Sequence, residues 1–351
     1  MTKMSRMDLR RQREEENKEK QSNQIKSNQI NREQHDFGTK EPKTKKKSKR
    51  KHRKGCLFYI LLLIIIIATF IVGTYYKGYF AAKNDNMHYP TKVTDFKGQK
   101  SVDGSVNVLL LGSDSRGEDQ GRSDSILIAH YSKENKQPKL VSIMRDTLVP
   151  IQTENGVEYN KINAAYSYGG PELVRQTITS TFGVPLQYFA VVNFDSFPKI
   201  IETIAPGGLS INAEKDLAVE GTVIKKGPQK MNGLQALQYS RFRKDEEGDF
   251  GRVRRQQQVL TALVKQGLNP LNAWRLPEAV GKIQGYTETD VPFSIYPSLS
   301  ANYLFSRHKP LDILTVPVKG SWSEGYYDYA GSVLEIDENT NKQAINTFLN
   351  K

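Results

Sequence analysis

The segment Ser105–Tyr131, SVNVLLLGSDSRGEDQGRSDSILIAHY, decides the fold. Val106–Leu111 (VNVLLL) is a short apolar run of strand type, and Ser125–Tyr131 (SILIAHY) is a second. The polar, glycine-punctuated stretch between them is a turn-rich connection. A third run, Leu140–Met144 (LVSIM), follows closely. Further on, Pro171–Phe182, Phe194–Ile204, Asn232–Tyr239, Gly251–Gln266 and Asp337–Asn350 have helical spacing, and they alternate with strand-like Tyr188–Val192 and Leu311–Val316. Such alternation predicts an α/β domain over residues 105–351, with a central mixed β-sheet flanked by helices. No internal repeat is present.

The rest of the chain reads outward from that domain. Its 351 residues, 37% of them hydrophobic, suffice for one large domain or two ordinary ones. A net charge of +13 would suggest nucleic acid or an acidic membrane surface as partner. Met1–Gly55, however, holds 19 Lys and Arg against 8 Asp and Glu, which leaves a balance of only +2 elsewhere. This tail, residues 1–55, is poor in apolar side chains and is expected to be disordered. Residues 56–76, CLFYILLLIIIIATFIVGTYY, carry no charge, and at about 1.5 Å per residue they span a bilayer core of about 30 Å, which predicts one transmembrane helix.

A cleaved signal peptide would have a shorter core and a small-residue cleavage site, whereas this run ends in Gly73-Thr-Tyr-Tyr-Lys77. The flank KTKKKSKRKHRK (Lys43–Lys54) places the N-terminus in the cytoplasm by the positive-inside rule. The expected location is therefore the cell membrane, single-pass, with the C-terminal domain outside. Residues 77–104, polar and punctuated by Pro90 and Gly98, read as an extracellular stalk. The single cysteine, Cys56, follows Lys54-Gly55 rather than an apolar stretch, against a lipoprotein site, and the outer part has no thiol for disulfides, metal binding or catalysis.

The chemistry-bearing residues lie at the strand ends. Asp114 follows the first strand in LGSDSR and Asp124 precedes the second in RSDS, which brings both to one end of the sheet. Two carboxylates there suit a hard divalent cation such as Mg²⁺. The alternative is that Asp114 closes a turn and Asp124 pairs with Arg122. Gly112–Gly117 is no phosphate loop, because Glu118 stands where Lys would follow. There is no G-x-S-x-G elbow, and His88, His130 and His308 lack zinc spacing. In SIMRDT, Arg145 and Asp146 follow the third strand directly. The densest patch is LQYSRFR (Leu237–Arg243) followed by DFGRVRRQQQ (Asp249–Gln258). Read as extended, the first would point Arg241 and Arg243 the same way. Read as helical, the second sets Arg252, Arg255 and Gln256 on one face, with Asp249 able to cap the first turn or pair with these arginines. An arginine cluster beside two aspartates suits a metal-bridged diphosphate, because the guanidinium fork grips phosphate in two places. A location outside the membrane disfavours nucleic acid.

These fragments resemble the LytR-CpsA-Psr family of cell-wall glycopolymer ligases. The ordered set is NVLLLGSDSR, RSDS, SIMRDT, KINAAYSYGG (Lys161–Gly170), FDSF (Phe194–Phe197), Gly207-Gly208 and YSRFRKDEEGDFGRVRRQQQVL (Tyr239–Leu260). The resemblance implies Mg²⁺-dependent transfer, Mn²⁺ being possible, of wall teichoic acid, capsule or a similar polymer from undecaprenyl pyrophosphate to the C6 hydroxyl of N-acetylmuramic acid. It implies Asp114 and Asp124 at the metal, and Arg122, Arg145, Arg241, Arg243, Arg252 and Gln256 around the pyrophosphate. The implied partners are a polyprenyl-pyrophosphate-linked glycopolymer, peptidoglycan and the membrane. Met144 departs from the family, which usually has proline there. The general base stays open between Asp114 and Asp124, and a lipid pyrophosphatase or a non-catalytic polymer-binding module stay open as other readings.

Overall fold

In the computed structural model, which describes residues 14–24, 52–85, 94–113, 121–132, 134–219, 221–267, 269, 272–296 and 309–351, the run beginning at Val106 lies near the middle of the largest sheet. In chain order come helices α1 (14–24) and α2 (His52–Lys83), strands β1 (Val106–Ser113), β2 (Ser123–Tyr131) and β3 (Pro138–Ile143), and the hairpin β4 (Leu148–Thr153) with β5 (Gly156–Lys161). There follow α3 (Ala164–Phe182), β6 (Tyr188–Asn193), α4 (Phe197–Ile204), β7 (Leu209–Ala213), β8 (Leu217–Val219), β9 (Thr222–Ile224) and β10 (Gly227–Met231). The chain ends with α5 (Gly233–Arg241), α6 (Gly248–Gly267), α7 (Leu276–Tyr286), β11 (Glu288–Thr289), β12 (Asp312–Val316), the hairpin β13 (Trp322–Tyr327) with β14 (Gly331–Ile336), and α8 (Glu338–Asn350).

The sheet order is β11-β6-β1-β2-β3-β12. β1 with β6 and β3 with β12 run parallel, while β1 with β2, β2 with β3 and β6 with β11 run antiparallel, so the sheet is mixed. Leu109 and Leu111 of β1 pack with Ile126, Ile128, Val141 and Ile143 beneath Val174 and Ile178 of α3 and Ile345 of α8. The opposite face, with Leu110 and Leu127, meets α4, α5 and α6. Covering both faces explains why β1 is apolar at four consecutive positions, Val108 to Leu111. A second core joins Ile201, Leu209, Ile211, Ile224, Met231, Tyr239 and Val259 beneath α4, α5 and α6.

Local chemistry sets the helix boundaries. Asn232 and Gln235 form a reciprocal capping box at the start of α5, with bonds of 2.8 and 3.0 Å. The α3 segment loses helical geometry at Gly169-Gly170, and Pro171 restarts it, which is where the spacing places a helix. Hairpins β4–β5 and β13–β14 and helix α7 were not expected, since their polar alternation carries little signal.

Residues 1–62 and 63–351 are separate compact units. Of the tail expected to be disordered, 1–13 and 25–51 lie outside the described residues, while 14–24 form α1 with every residue exposed. Glu14 and Lys18, and Glu16 and Lys20, stand at i,i+4 spacing, the order that supports an isolated helix. Leu57–Lys83 of α2 is long and apolar enough to cross a membrane, and large apolar side chains from Leu57 to Ile67 are exposed.

The expected stalk, residues 77–104, is described in part. Its first residues continue α2 to Lys83, where Tyr75 and Ala82 are buried against α7. The crossing is close because glycines face backbone: a Cβ on Gly78 would meet the Glu278 carbonyl, and one on Gly281 the Tyr75 carbonyl. Asp85 pairs with Lys199 and accepts from the Tyr286 hydroxyl at 2.8 Å. Farther on, Phe96 packs on Phe189 at 4.8 Å, and the Gln99 N–H donates to the Leu186 carbonyl. Small and aromatic residues thus fasten the described parts of residues 77–104 to the domain.

Candidate active site

The C-terminal ends of β1, β3 and β6 and the start of β2 share one edge of the sheet, the edge where α/β folds bind ligands. The β1–β2 register slips between Gly112 and Ser113, and buried Ser123 holds the irregularity through bonds to the Gly112 and Ser125 carbonyls. Such a slip re-aims the next side chain, here Asp124. Directly after β3, the Met144–Thr147 loop is fixed by backbone bonds from Met144 to Val316, Asn163 to Arg145 and Leu334 to Asp146. Met144, the departure from the family pattern, is fully buried with Val253 and Leu334, so it glues this loop to α6.

The Arg145 Nη1 donates to Asp124 Oδ1 at 2.5 Å. Its Nε lies 3.4 Å from Asp146 and 3.6 Å from Asp249. Arg252, one turn into α6, reaches Asp249 at 2.7 Å and Asp124 at 3.9 Å. Lys161 pairs with Asp146 at 3.1 Å. Burial opposes the Arg145 charge, but Asp124, Asp146 and Asp249 outweigh it and its pKa is raised. Burial dominates for the other two groups, pushing Asp249 up and Arg252 down against their mutual attraction. Arg145 Nε, Arg252 Nε and both Asp249 oxygens are buried without an aligned hydrogen bond among the described residues. The cluster therefore holds paired charge with unfilled hydrogen-bonding capacity, the condition a bound anion or cation would relieve.

Beside the cluster, a narrow slot of about 120 Å³ opens between the sheet and helices α4, α5 and α6. Leu110, Leu127, Val192, Phe197, Leu237 and Leu260 make it apolar. Ser125 and Gln256 line it too, with the Ser125 hydroxyl donating to Gln256 Oε1 at 3.3 Å. The Arg241 guanidinium lies over Phe194, another lining residue, 4.7 Å from the ring centre.

The structure thus gathers Asp124, Arg145 and Arg252 into one cluster and sets Gln256 and Arg241 along the slot. Asp124 pairs with Arg145, not with Arg122, which is exposed two residues earlier. Asp114 lies outside the described residues. The extended reading of Leu237–Arg243 is corrected: Arg241 ends a helix, and the chain turns extended only at Phe242, leaving Arg243 exposed beyond it. The capping box at Asn232 drives helix through this segment, so alternation does not align the two arginines. Arg255 also leaves the expected polar face, because it is fully buried against Asp245 at 3.0 Å and the Phe242 carbonyl. Sequence reasoning gave Lys161 no role and could not single out the residues that line an apolar slot, since apolar lining looks like ordinary core.

Among the described residues no three His, Cys, Asp or Glu side chains gather as a metal site. Mg²⁺ typically takes only one or two protein carboxylates plus phosphate oxygens, and of the expected pair Asp124, its Oδ1 taken by Arg145, is the carboxylate that the structure describes.

The candidate site is thus an arginine–aspartate cluster at one end of a mixed sheet, with an apolar slot beside it. The profile of the LytR_cpsA_psr family matches residues 71–345, and the chain belongs to that family. It is 41% identical over 283 residues to the regulatory protein MsrR of Staphylococcus aureus (strain COL), covering 80% of this chain and 85% of that one. It is 34% identical over 225 residues to the polyisoprenyl-teichoic acid–peptidoglycan teichoic acid transferase TagU of Bacillus mycoides (strain KBAB4), covering 62% and 73%. The crystal structure of B. subtilis TagV superposes with a TM-score of 0.61 at 28% identity, over 70% of this chain and 97% of that one.

Proposed function

We propose that this chain transfers an anionic glycopolymer, wall teichoic acid, capsule or similar, from undecaprenyl pyrophosphate to the C6 hydroxyl of N-acetylmuramic acid in peptidoglycan. The observation that carries the reading is the apolar slot beside the Arg145–Asp124–Arg252–Asp249 cluster, one compartment for a polyprenyl tail and one for its pyrophosphate. TagU, whose name describes such a transfer, supports it at 34% identity. The muramic hydroxyl attacks the phosphorus that bears the glycan and gives its proton to a carboxylate, Asp114 or Asp124; an O–P bond forms, the pyrophosphate bridge breaks, and polyprenyl phosphate leaves. Arg145 and Arg252, with Arg122, Arg241 and Arg243 at the rim, neutralise the phosphate oxygens, and Gln256 orients them. Positioning and preorganised charge supply most of such a reaction. Asp124 and Asp114 would hold Mg²⁺ or Mn²⁺, which when bound offsets charge on the same oxygens. α2 crosses the membrane with its N-terminus in the cytoplasm, which leaves the site outside, on the side of the wall.

The test uses the purified full chain in detergent with a short-chain polyprenyl-pyrophosphate-linked glycan and peptidoglycan strands. Transfer should release one polyprenyl phosphate for each polymer attached and should fail in folded Asp124→Asn and Asp114→Asn. Arg241→Lys should weaken donor binding roughly tenfold or more, since lysine loses the fork and a charge-assisted bond worth about 1.5–3 kcal/mol. Release without attachment would make the chain a pyrophosphatase, and binding without release a polymer-binding module.

A further inference from the structure

Hairpin β13–β14 is tied to the arginine cluster and carries aromatic rings away from it. The Leu334 N–H donates to the Asp146 carbonyl at 2.8 Å, and Leu334 pairs with Thr147, so the hairpin borders the loop that holds Arg145. Trp322 packs against the small core of Met144, Val253 and Leu334. Its ring lies 5.1 Å from that of Phe250, tilted by 30°. Phe250 belongs to the first turn of α6, directly after Asp249 of the cluster and two residues before Arg252, and it is still 39% exposed.

Side chains alternate along a strand, so Trp322, Glu324 and Tyr326 share one face of β13. At about 3.4 Å per residue, Tyr326 stands roughly 13 Å along the strand from Trp322. Phe250, Trp322 and Tyr326 thus make a row that begins beside Asp249 and runs outward along the hairpin. Tyr326 is 74% exposed, and Tyr329, in the turn, 63%. Folding gains little from a ring left so far in water, and aromatic surface grouped in this way marks an interaction site.

The chemistry of the row narrows what it takes. An aromatic ring has an electron-rich face, which attracts the C–H face of a sugar ring. From Ser321 to Ile336 the hairpin carries Glu324, Asp328 and Glu335 and no Lys or Arg, so an anionic polymer or an anionic lipid surface is repelled. A neutral saccharide chain meets no such field, and its hydroxyls can donate to the Glu324 carboxylate.

We infer that Phe250, Trp322 and Tyr326 form a seat for a neutral saccharide chain, the acceptor strand, whose end unit they deliver to the arginine cluster. Resting on the transfer reading, this seat separates the two substrates: the anionic donor keeps to the cluster and the slot, and the neutral strand arrives along the hairpin.

The experiment uses the full chain in detergent carrying Trp274→Phe, which leaves Trp322 as the sole tryptophan of the sequence. An N-acetylglucosamine tetramer should change Trp322 emission saturably, whereas dextran sulfate, an anionic saccharide, and tetralysine, a basic peptide, should not. Adding Tyr326→Ala should weaken tetramer binding roughly 2- to 12-fold, the loss of one aromatic contact, at an unchanged unfolding temperature. In the transfer assay the same substitution should raise KM for peptidoglycan strands by a like factor and leave kcat and donor affinity as they are. Trp322 emission that the tetramer does not move would overturn the inference, as would tetramer affinity and peptidoglycan KM both unchanged by Tyr326→Ala. An equal response to dextran sulfate or to tetralysine would overturn the neutral saccharide class. Tetramer binding weakened by Tyr326→Ala, in a chain that transfers nothing, would support the saccharide seat and count against the transfer reading alone.

Discussion

Replacing Arg145 with methionine separates a structural ion pair from a metal site. Arg145 is 17% and Asp124 24% exposed in their side chains, and the pair is 2.5 Å apart. Without the guanidinium, Asp146 keeps Lys161 at 3.1 Å and Asp249 keeps Arg252 at 2.7 Å. Asp124 keeps only the more distant Arg252, at 3.9 Å, among the described ion pairs. The cost is thus one half-buried carboxylate losing its near partner. Breaking a fully buried pair costs about 3–5 kcal/mol, and the remaining solvent access reduces this to about 2 kcal/mol. For a domain of this size, where about 1 kcal/mol moves the midpoint by about 2–4 °C, Arg145→Met should lower Tm by about 4–8 °C.

If Asp124 is a metal ligand, a divalent cation replaces the lost positive charge. Mg²⁺ at about 100 times its Kd adds about 2.7 kcal/mol, enough to restore the wild-type midpoint. The assay is thermal unfolding of the detergent-solubilised full chain, followed by near-ultraviolet circular dichroism, with MgCl₂ titrated at constant ionic strength. Adding Asp124→Asn to the variant should abolish the rescue. An Arg145→Met midpoint within about 1 °C of wild type would refute the stability argument. A Mg²⁺ rescue that survives Asp124→Asn would refute the metal assignment.

Three further outcomes are expected. Protease added to intact, wall-stripped cells should digest the region after Lys77 and spare Lys43–Lys54; protection of the large domain would reverse the orientation. Leu237→Trp should fill the slot and weaken binding of a polyprenyl pyrophosphate at least tenfold while leaving inorganic pyrophosphate binding unchanged, whereas parallel losses would mean a damaged cluster instead; Leu237 is 8% exposed and lines the slot. The third concerns pH. Burial, with Lys139 adding to it and Asp103 opposing, lowers the folded pKa of His130 from 6.5 to about 4. The unfolded chain then binds the extra proton across that window, so stability is full above pH 6.5 and falls as pH drops toward 4, by about 3 kcal/mol. Chemical-denaturant midpoints measured across this range should show the slope in wild type and a flatter one in His130→Asn, and equal slopes would disprove it.

The sequence alone determined the elements whose signal is local. The apolar runs of β1, β2 and β3 and the spacing of α3, α4, α5, α6 and α8 follow from periodicities of two and 3.6 residues, which burial of one face or both imposes on the chain itself. The uncharged run after Cys56 marked an apolar helix for the same reason, since its length and composition need no partner to be read. Candidate site residues Asp124, Arg145 and Arg252 were legible because charged side chains directly beside apolar strand ends or within a core-facing helix are costly unless they have a task.

What only the tertiary structure decided depends on who meets whom. Asp124 chose Arg145 over Arg122 because a register slip aims it toward the loop after β3, and no sequence spacing contains that geometry. Arg255 left the polar face because Asp245 and the Phe242 carbonyl wait for it inside. The slot is built from residues of β1, β2, β6, α4, α5 and α6 that in the sequence are indistinguishable from core, since a cavity is a property of the space between side chains and not of any one of them. The docking of Tyr75–Ala82 on α7 likewise needed both helices at once: a glycine in one helix shows its purpose only when the backbone of another arrives where a Cβ would have been.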